Sequence, residues 1–349
     1  MNIMKQITTP ILFLVFNRPE KTRLVFECIR KAKPQKLYVA IDAPRKDRND
    51  DINNCNEVKK IVHNVDWPCE THYLEHEKNL GCSLAGKTAW DWFFANEEEM
   101  IFLEDDGLVT DSFFWYCQEL LEKYRNDERV GYIGAVNFGQ TFGNKTYFFS
   151  RCSISTYAMA TWKRVYDLYD YDLSSYAQTR NTKDFQSNFR NALERNTYLS
   201  LFDNFVKSLS IGKRQNTYDL QMVYLVLKYH KICIYPNINQ VTNIGFDFNG
   251  SNTAMDPNSK TAKEHTRPRY EINEIIHPLD VEIDNNFEKV VFQNRLLGGK
   301  SYTKAWISYF VSLTGLPFLF KKIRIRLSNV KFIKSIYFKL FNNSSLKIQ

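Results

Sequence analysis

Residues 11–16 (ILFLVF) are apolar at every position, the pattern of a strand buried on both faces of a parallel sheet. Asn17-Arg18-Pro19-Glu20 follows, with proline placed to open a helix and Leu24, Phe26 and Ile29 behind it. The same alternation then recurs. Residues 37–41 read as a second strand ending at Asp42, and the polar run 45–56 as a loop entering another helix. Further strands are predicted at 71–75 and 100–103 around a helix over 83–96, and a helix over 111–124 leads to a strand at 130–136. Strands alternating with helices imply right-handed crossovers and an α/β, doubly wound, mostly parallel sheet. Beyond about residue 150 the pattern turns mostly helical, with a strand at 232–235 and a loop over 245–259 rich in Asn, Ser and Gly.

Binding sites in such sheets lie beyond the carboxyl ends of the strands, so Asn17, Arg18, Asp42 and the run Glu104-Asp105-Asp106 are expected to share one crevice. Three adjacent acids repel one another, and burial worsens the repulsion, so a cation should compensate them. Oxygen ligands select Mg²⁺ or Mn²⁺, ions that take one or two carboxylates together with diphosphate oxygens. The alternative is a solvated strand end, or a helix cap using Asp111.

Composition narrows the class. With 44% hydrophobic and 25% charged residues among 349, and only 13 Gly and 10 Pro, the chain is globular and neither disordered nor collagen-like. Its 26 Phe, 20 Tyr and 6 Trp can fill a large core. Seven cysteines, odd in number and without metal-like pairing, together with the lack of an apolar leader, point to reduced thiols that pack in a cytoplasmic protein. His63, His72 and His76 fall across a loop and a strand and are read as surface or core histidines, not ligands.

The net charge of +8 is unevenly placed: residues 300–349 hold ten bases and no acid, leaving 37 bases against 39 acids before them. Trp306, Tyr309, Phe310, Phe318 and Phe320 are interleaved with those bases. The apolar run 305–320 is sixteen residues long and broken by Gly315 and Pro317, short of the roughly 20 that a spanning helix needs. Basic and aromatic residues on amphipathic segments suit the interface of an anionic membrane, here its cytoplasmic face. A helical subdomain is the alternative, and nucleic acid is disfavoured because it explains none of the apolar neighbours. The expected organisation is a body over 1–299, in halves 1–150 and 151–299, and a tail over 300–349.

The segments ILFLVFNRPEKT, YVAIDAPR, KNLGCSLAGKTAWDWFF and FLEDDGLVTDSFFWYCQELLEKYRNDERVGYIGAVN resemble the bacterial nucleotide-diphospho-sugar transferases of the GT-A fold, themselves similar to eukaryotic N-acetylglucosaminyltransferase I. The likeness runs on through FFSRCSISTYAMATWKRVYD and TYDLQMVYLVLKYHKICIYPNINQVTNIGF, covering about residues 10–265 but not the tail. It implies metal-dependent transfer of a sugar from a nucleotide-diphosphate donor such as a UDP-sugar to a hydroxyl of a glycan or lipid-linked acceptor, in surface polysaccharide synthesis. By the resemblance Asp106 is the metal ligand, Glu104 and Asp105 face donor sugar and ribose, Arg18 meets the diphosphate and Asp42 the base. Arg18, beside a helix start, does offer a positive fork to phosphate oxygens, unless it forms a surface ion pair with Glu20 or Glu27. Asp42 can accept from a uracil imide or a ribose hydroxyl, or simply serve the turn before Ala43-Pro44.

Direct displacement also needs a base, and the resemblance points to Asp219 in TYDLQ; the alternative is a first-turn helix aspartate. With Asp219 as base the anomeric configuration inverts. Asn243, Gly245 and Phe246 lead into a polar stretch over 247–258 able to close on a donor. Relatives tend to carry a histidine there, where this chain has Ser251-Asn252-Thr253. Trp162 could stack on a sugar or pack in the core. Two other readings stand beside this one: a sugar-1-phosphate nucleotidyltransferase, which should show a Gly-rich phosphate loop where this chain has FNRPE, and a non-catalytic membrane adaptor with a decayed site.

Overall fold

A computed structural model describes residues 6–137, 144–151, 157–213, 217–246, 256–297 and 301–313. The contacts divide the chain into two compact units, Met1–Asn188 with Leu201–Asn285, and Phe189–Ser200 with Asn286–Gln349. The change of charge at residue 300 therefore falls inside the second unit.

The first unit is an α/β fold around an eight-stranded, mostly parallel sheet, in the order β3-β2-β1-β4-β8-β6-β9-β7. Its strands are β1 (Ile11–Val15), β2 (Lys36–Ile41), β3 (Glu70–Glu75), β4 (Glu99–Glu104), β6 (Val130–Gly134), β7 (Tyr147–Ser150), β8 (Ala158–Trp162) and β9 (Ile232–Pro236). A separate antiparallel pair joins β5 (Gly107–Val109) to β10 (Val241–Asn243). Parallel pairing of β1 with both β2 and β4 sends Asn17, Asp42 and Glu104 to the same edge. All five residues of β1 are buried, as expected of a central strand covered on both faces.

The crossover helices are α1 (Pro19–Ala32), α2 (Asn49–Val62), α3 (Gly81–Phe94) and α4 (Ser112–Tyr124). Pro19 fits the first turn of α1, where its missing N–H costs no hydrogen bond, and Lys33 ends the helix in a left-handed conformation with its N–H on the carbonyl of Ile29. Three single-turn helices follow, α5 (Lys163–Tyr166), α6 (Tyr176–Thr179) and α7 (Lys183–Gln186), then α8 (Ala192–Ser210), α9 (Asp219–Lys228) and α10 (Lys260–His265). The chain continues through α11 (Asn285–Val291), a π-helical turn at Phe292–Leu296, and α12 (Tyr302–Leu313).

Two expectations need correction. The polar run 45–56 is a loop only as far as Arg48; α2 begins at Asn49, because Asp50 and Asp51 favour a first turn while Cys55, Val58 and Ile61 supply a buried face. The stretch after residue 150 is not simply helical, since β8 inserts antiparallel between β4 and β6. Of the six described cysteines, Cys28, Cys55, Cys117 and Cys233 are buried. His63 and His72 pair with Glu75 and Glu70, and His76 lies 3.2 Å from the Thr88 hydroxyl. Among the described residues no helix is long and apolar enough to cross a membrane.

Candidate functional site

Arg18 sits in the turn between β1 and α1, and its Nη1 lies 2.8 Å from Asp106 Oδ2 and 3.6 Å from Asp105 Oδ1. The three side chains are only 17%, 6% and 11% exposed, so their charges persist chiefly by compensating one another. Burial works against the Arg18 charge, but Asp105 and Asp106 outweigh it and hold its proton more tightly than usual. Burial also lifts the Asp105 carboxyl to about 6, even with Arg18 opposing. Glu104 is pushed far above the ordinary carboxylate range, first by burial and then by Asp106, Asp219 and Asp105. The cation required by the acidic run is thus supplied in part by the chain itself.

A second strand locks Asp106 from the other side. In the β5–β10 pair Asn243 lies opposite Gly107, next to the acids. Asn243 Nδ2 donates to Asp106 Oδ1 at 3.2 Å, and Asn243 Oδ1 accepts from the Gly245 N–H at 2.7 Å. The Ile244 N–H donates to the Asp106 carbonyl at 2.8 Å. A Cβ at position 245 would stand 2.1 Å from Asp106 Oδ2, so only glycine lets the backbone pack this closely on that oxygen. Phe246 then stacks on His265 at 4.4 Å, and Tyr157 lies against the same imidazole at 6.0 Å. An aromatic wall with a buried histidine therefore adjoins the acids, its imidazole coming from the end of α10 and not from the loop at 251–253. The expected lid falls mainly on residues 247–255, outside the described residues.

Asp42 is held differently from its expected role. Its carboxylate accepts from the N–H groups of Ala43, Leu80 and Gly81 and from Asn79 Nδ2, all between 2.9 and 3.0 Å. It thereby caps the start of α3, where Gly81 has φ +73°, a conformation that favours glycine. With both oxygens engaged, its first task is local architecture. Beside it, Arg45 grips Asp51 through Nε at 2.5 Å and Nη2 at 2.8 Å, and Asn17 Nδ2 donates to the same carboxylate at 2.7 Å.

Asp219 is the first residue of α9 and is exposed. Its charge is among those raising the neighbouring Glu104, so α9 delivers it to the acidic strand end. What aims α9 is Tyr218, a residue the sequence reading passed over. Its hydroxyl donates to Glu104 Oε1, while its ring packs at 5.6 Å from Trp90 and so near Gly86 that a Cβ there would come within 2.9 Å of it. The Tyr169 hydroxyl donates to the Tyr218 carbonyl and the Ser83 hydroxyl to the Thr217 carbonyl. A tyrosine immediately before a candidate base was the available signal.

Trp162 is a correction. It pairs with Glu99 at the amino end of β4, roughly 16 Å along the strand from Glu104, and is 2% exposed. Its Nε1 donates to the Leu121 carbonyl and the Arg164 guanidinium lies 4.4 Å over its ring, so it packs and does not face a sugar at the acidic edge. An open cleft of about 540 Å³ at that far edge includes Trp162, but there Glu99 and Arg125 already satisfy each other.

Oxygen-only chemistry at Asp106 raises the question of a divalent cation. Among the described residues no three His, Cys, Asp or Glu side chains gather into a cage. Mg²⁺ shared with a diphosphate needs only one or two carboxylates, however. Asp106 would supply one carboxylate if Arg18 turned to a phosphate, so the donor set fits an ion held jointly with substrate.

No family profile matches the chain, and no curated protein sequence does. Solved structures with partial similarity include TarS from S. aureus, 9% identical with a TM-score of 0.33 over 48% of this chain and 51% of that one. An apo UDP-glucose pyrophosphorylase is 9% identical, with a TM-score of 0.35 over 68% and 93% of the two chains. HddC from Yersinia pseudotuberculosis in complex with GMP-PN is 10% identical, with a TM-score of 0.27 over 38% and 60%. The chain thus spans about half the length of the TarS structure.

Proposed function

We propose that this protein transfers a sugar from a nucleotide diphosphate to an acceptor hydroxyl with the help of Mn²⁺ or Mg²⁺. The observation that carries the reading is the Arg18–Asp106 pair at the carboxyl edge of β1 and β4, with Asp106 clamped by Asn243 and closely approached by the Gly245 backbone. An ion pair of this kind is a ready exchange site: a diphosphate can take the guanidinium, and Asp106 would then be the residue to hold a divalent ion. Neither partner need be desolvated further, because both are already buried.

The donor diphosphate would lie along Arg18, with the anomeric carbon toward Asp219. The acceptor oxygen attacks that carbon, the bond to the diphosphate oxygen breaks, and Asp219 takes the hydroxyl proton. Arg18 compensates charge as it develops on the leaving diphosphate. A bound divalent ion supplies Lewis-acid stabilisation of the same oxygens. Glu104, shared between Tyr218 and the acidic cluster, keeps the base and the strand end in register. Attack opposite the leaving group inverts the anomeric centre. A glycan or lipid-linked saccharide is the acceptor class.

Incubation with Mn²⁺ and a panel of UDP-sugars, without acceptor, should release UDP slowly, and Asp106→Ala should abolish the release while leaving circular dichroism unchanged. Pyrophosphate-dependent formation of nucleoside triphosphate would instead establish nucleotidyl transfer. No nucleotide binding by calorimetry with metal present would reject both.

A further inference from the structure

The last described helix of the second unit carries two unlike faces. Ala305 is buried and Tyr302, Trp306 and Tyr309 are half-buried on one face, with Tyr302 packed 6.0 Å from Phe292. On the other face Ile307 and Phe310 are 56% and 58% exposed, three residues apart and therefore neighbours, with exposed Lys304 one turn before Ile307. Trp306 stacks on Phe310 at 5.5 Å, extending the apolar stripe to the border between the faces.

The charge of the segment that carries this stripe selects the occupant. From residue 300 to the end the chain has ten Lys and Arg and no Asp or Glu, so any complementary surface must be anionic. It must also accept exposed isoleucine and phenylalanine. A nucleic acid meets the first requirement only, and a purely apolar protein groove the second. The headgroup region of an anionic bilayer meets both, and Trp and Tyr at the border of a helix favour that depth. The apolar run 305–320 is sixteen residues long and broken by Gly315 and Pro317, short of the roughly 20 that a spanning helix needs, so α12 would lie in the surface and not cross it.

We infer that α12 is a lipid-surface contact in which Ile307 and Phe310 enter the interface of an anionic membrane, with Lys304 and the bases that follow it in the sequence supplying the electrostatic attraction. The inference stands apart from the sugar-transfer reading, since it uses none of the residues at the acidic edge. Flotation of the full chain with phosphatidylcholine vesicles, with and without phosphatidylglycerol, tests it. Binding should require phosphatidylglycerol and weaken as salt rises. The double variant Ile307→Asp, Phe310→Asp, altered at exposed positions, should keep its thermal midpoint and lose about tenfold in partitioning. Equal binding to neutral vesicles, or unchanged partitioning of the variant, would overturn the inference. So would a vesicle-free dimer that the variant converts to monomer, because the stripe would then be a contact between copies of the chain.

Discussion

At the scale of single residues, one hydroxyl and one carboxylate have consequences that can be measured. Tyr218 joins the start of α9 to Glu104, and removing its oxygen leaves ring packing on Trp90 and Gly86 in place. Tyr218→Phe should therefore stay folded but let Asp219 drift, lowering kcat for donor hydrolysis by roughly ten- to a hundredfold with little change in KM. An equal fall in thermal midpoint and activity would mark a purely structural role. Asp51 makes a different prediction. Its hydrogen bond from Arg45 comes first in bringing its carboxyl from 3.8 to about 2. A depressed carboxyl stabilises the fold fully above its unfolded value and loses that contribution as pH falls toward 2. Asp51→Asn should cost about 1–2 kcal/mol near neutrality, with Arg45 partly exposed, and the gap to the parent should close between pH 4 and 2 in urea titrations.

Short elements decide more here than long ones. The three-residue strands β5 and β10 bring Asn243 and Gly245 onto Asp106, more than a hundred residues away in the chain. Gly245→Ala should push the Asp106 side chain out of place through a contact of 2.1 Å. Calorimetry is then expected to show metal-dependent nucleotide binding weakened at least tenfold by the misplaced ligand. Unchanged affinity would mean that Asp106 is not the ligand. The long elements of the first half were legible because uninterrupted apolar runs mark buried parallel strands and proline marks the opening of α1. The strand β8 was not, since Ala158-Met159-Ala160-Thr161-Trp162 has neither a long apolar run nor a turn signal of its own. Its antiparallel place between β4 and β6 is settled by partners distant in the sequence.

For the molecule as a whole, ligand binding should register as stability. A nucleoside diphosphate with Mn²⁺ at a hundred times its dissociation constant adds about 2.7 kcal/mol by mass action, visible as a raised thermal midpoint. A panel of nucleotides should rank by this shift, and Arg18→Ala should flatten the ranking. A ranking in the Arg18→Ala protein as large and as ordered as the parent's would remove that residue from the site.

Local chemistry written in the chain determined the alternating strands and helices, the convergence of Arg18, Asp42 and the acids at one edge, and the all-basic end. These follow from periodicity and strand direction, which a linear pattern carries. Only the folded chain decided that Arg18 faces Asp106, that Asn243 clamps Asp106, that Asp42 is drawn into capping α3, that Trp162 lies at the wrong end of β4, and that Tyr218 and His265 join the site. Those are pairings across large sequence separations. Burial makes each polar partner obligatory, but which partner arrives depends on how the strands are ordered in the sheet.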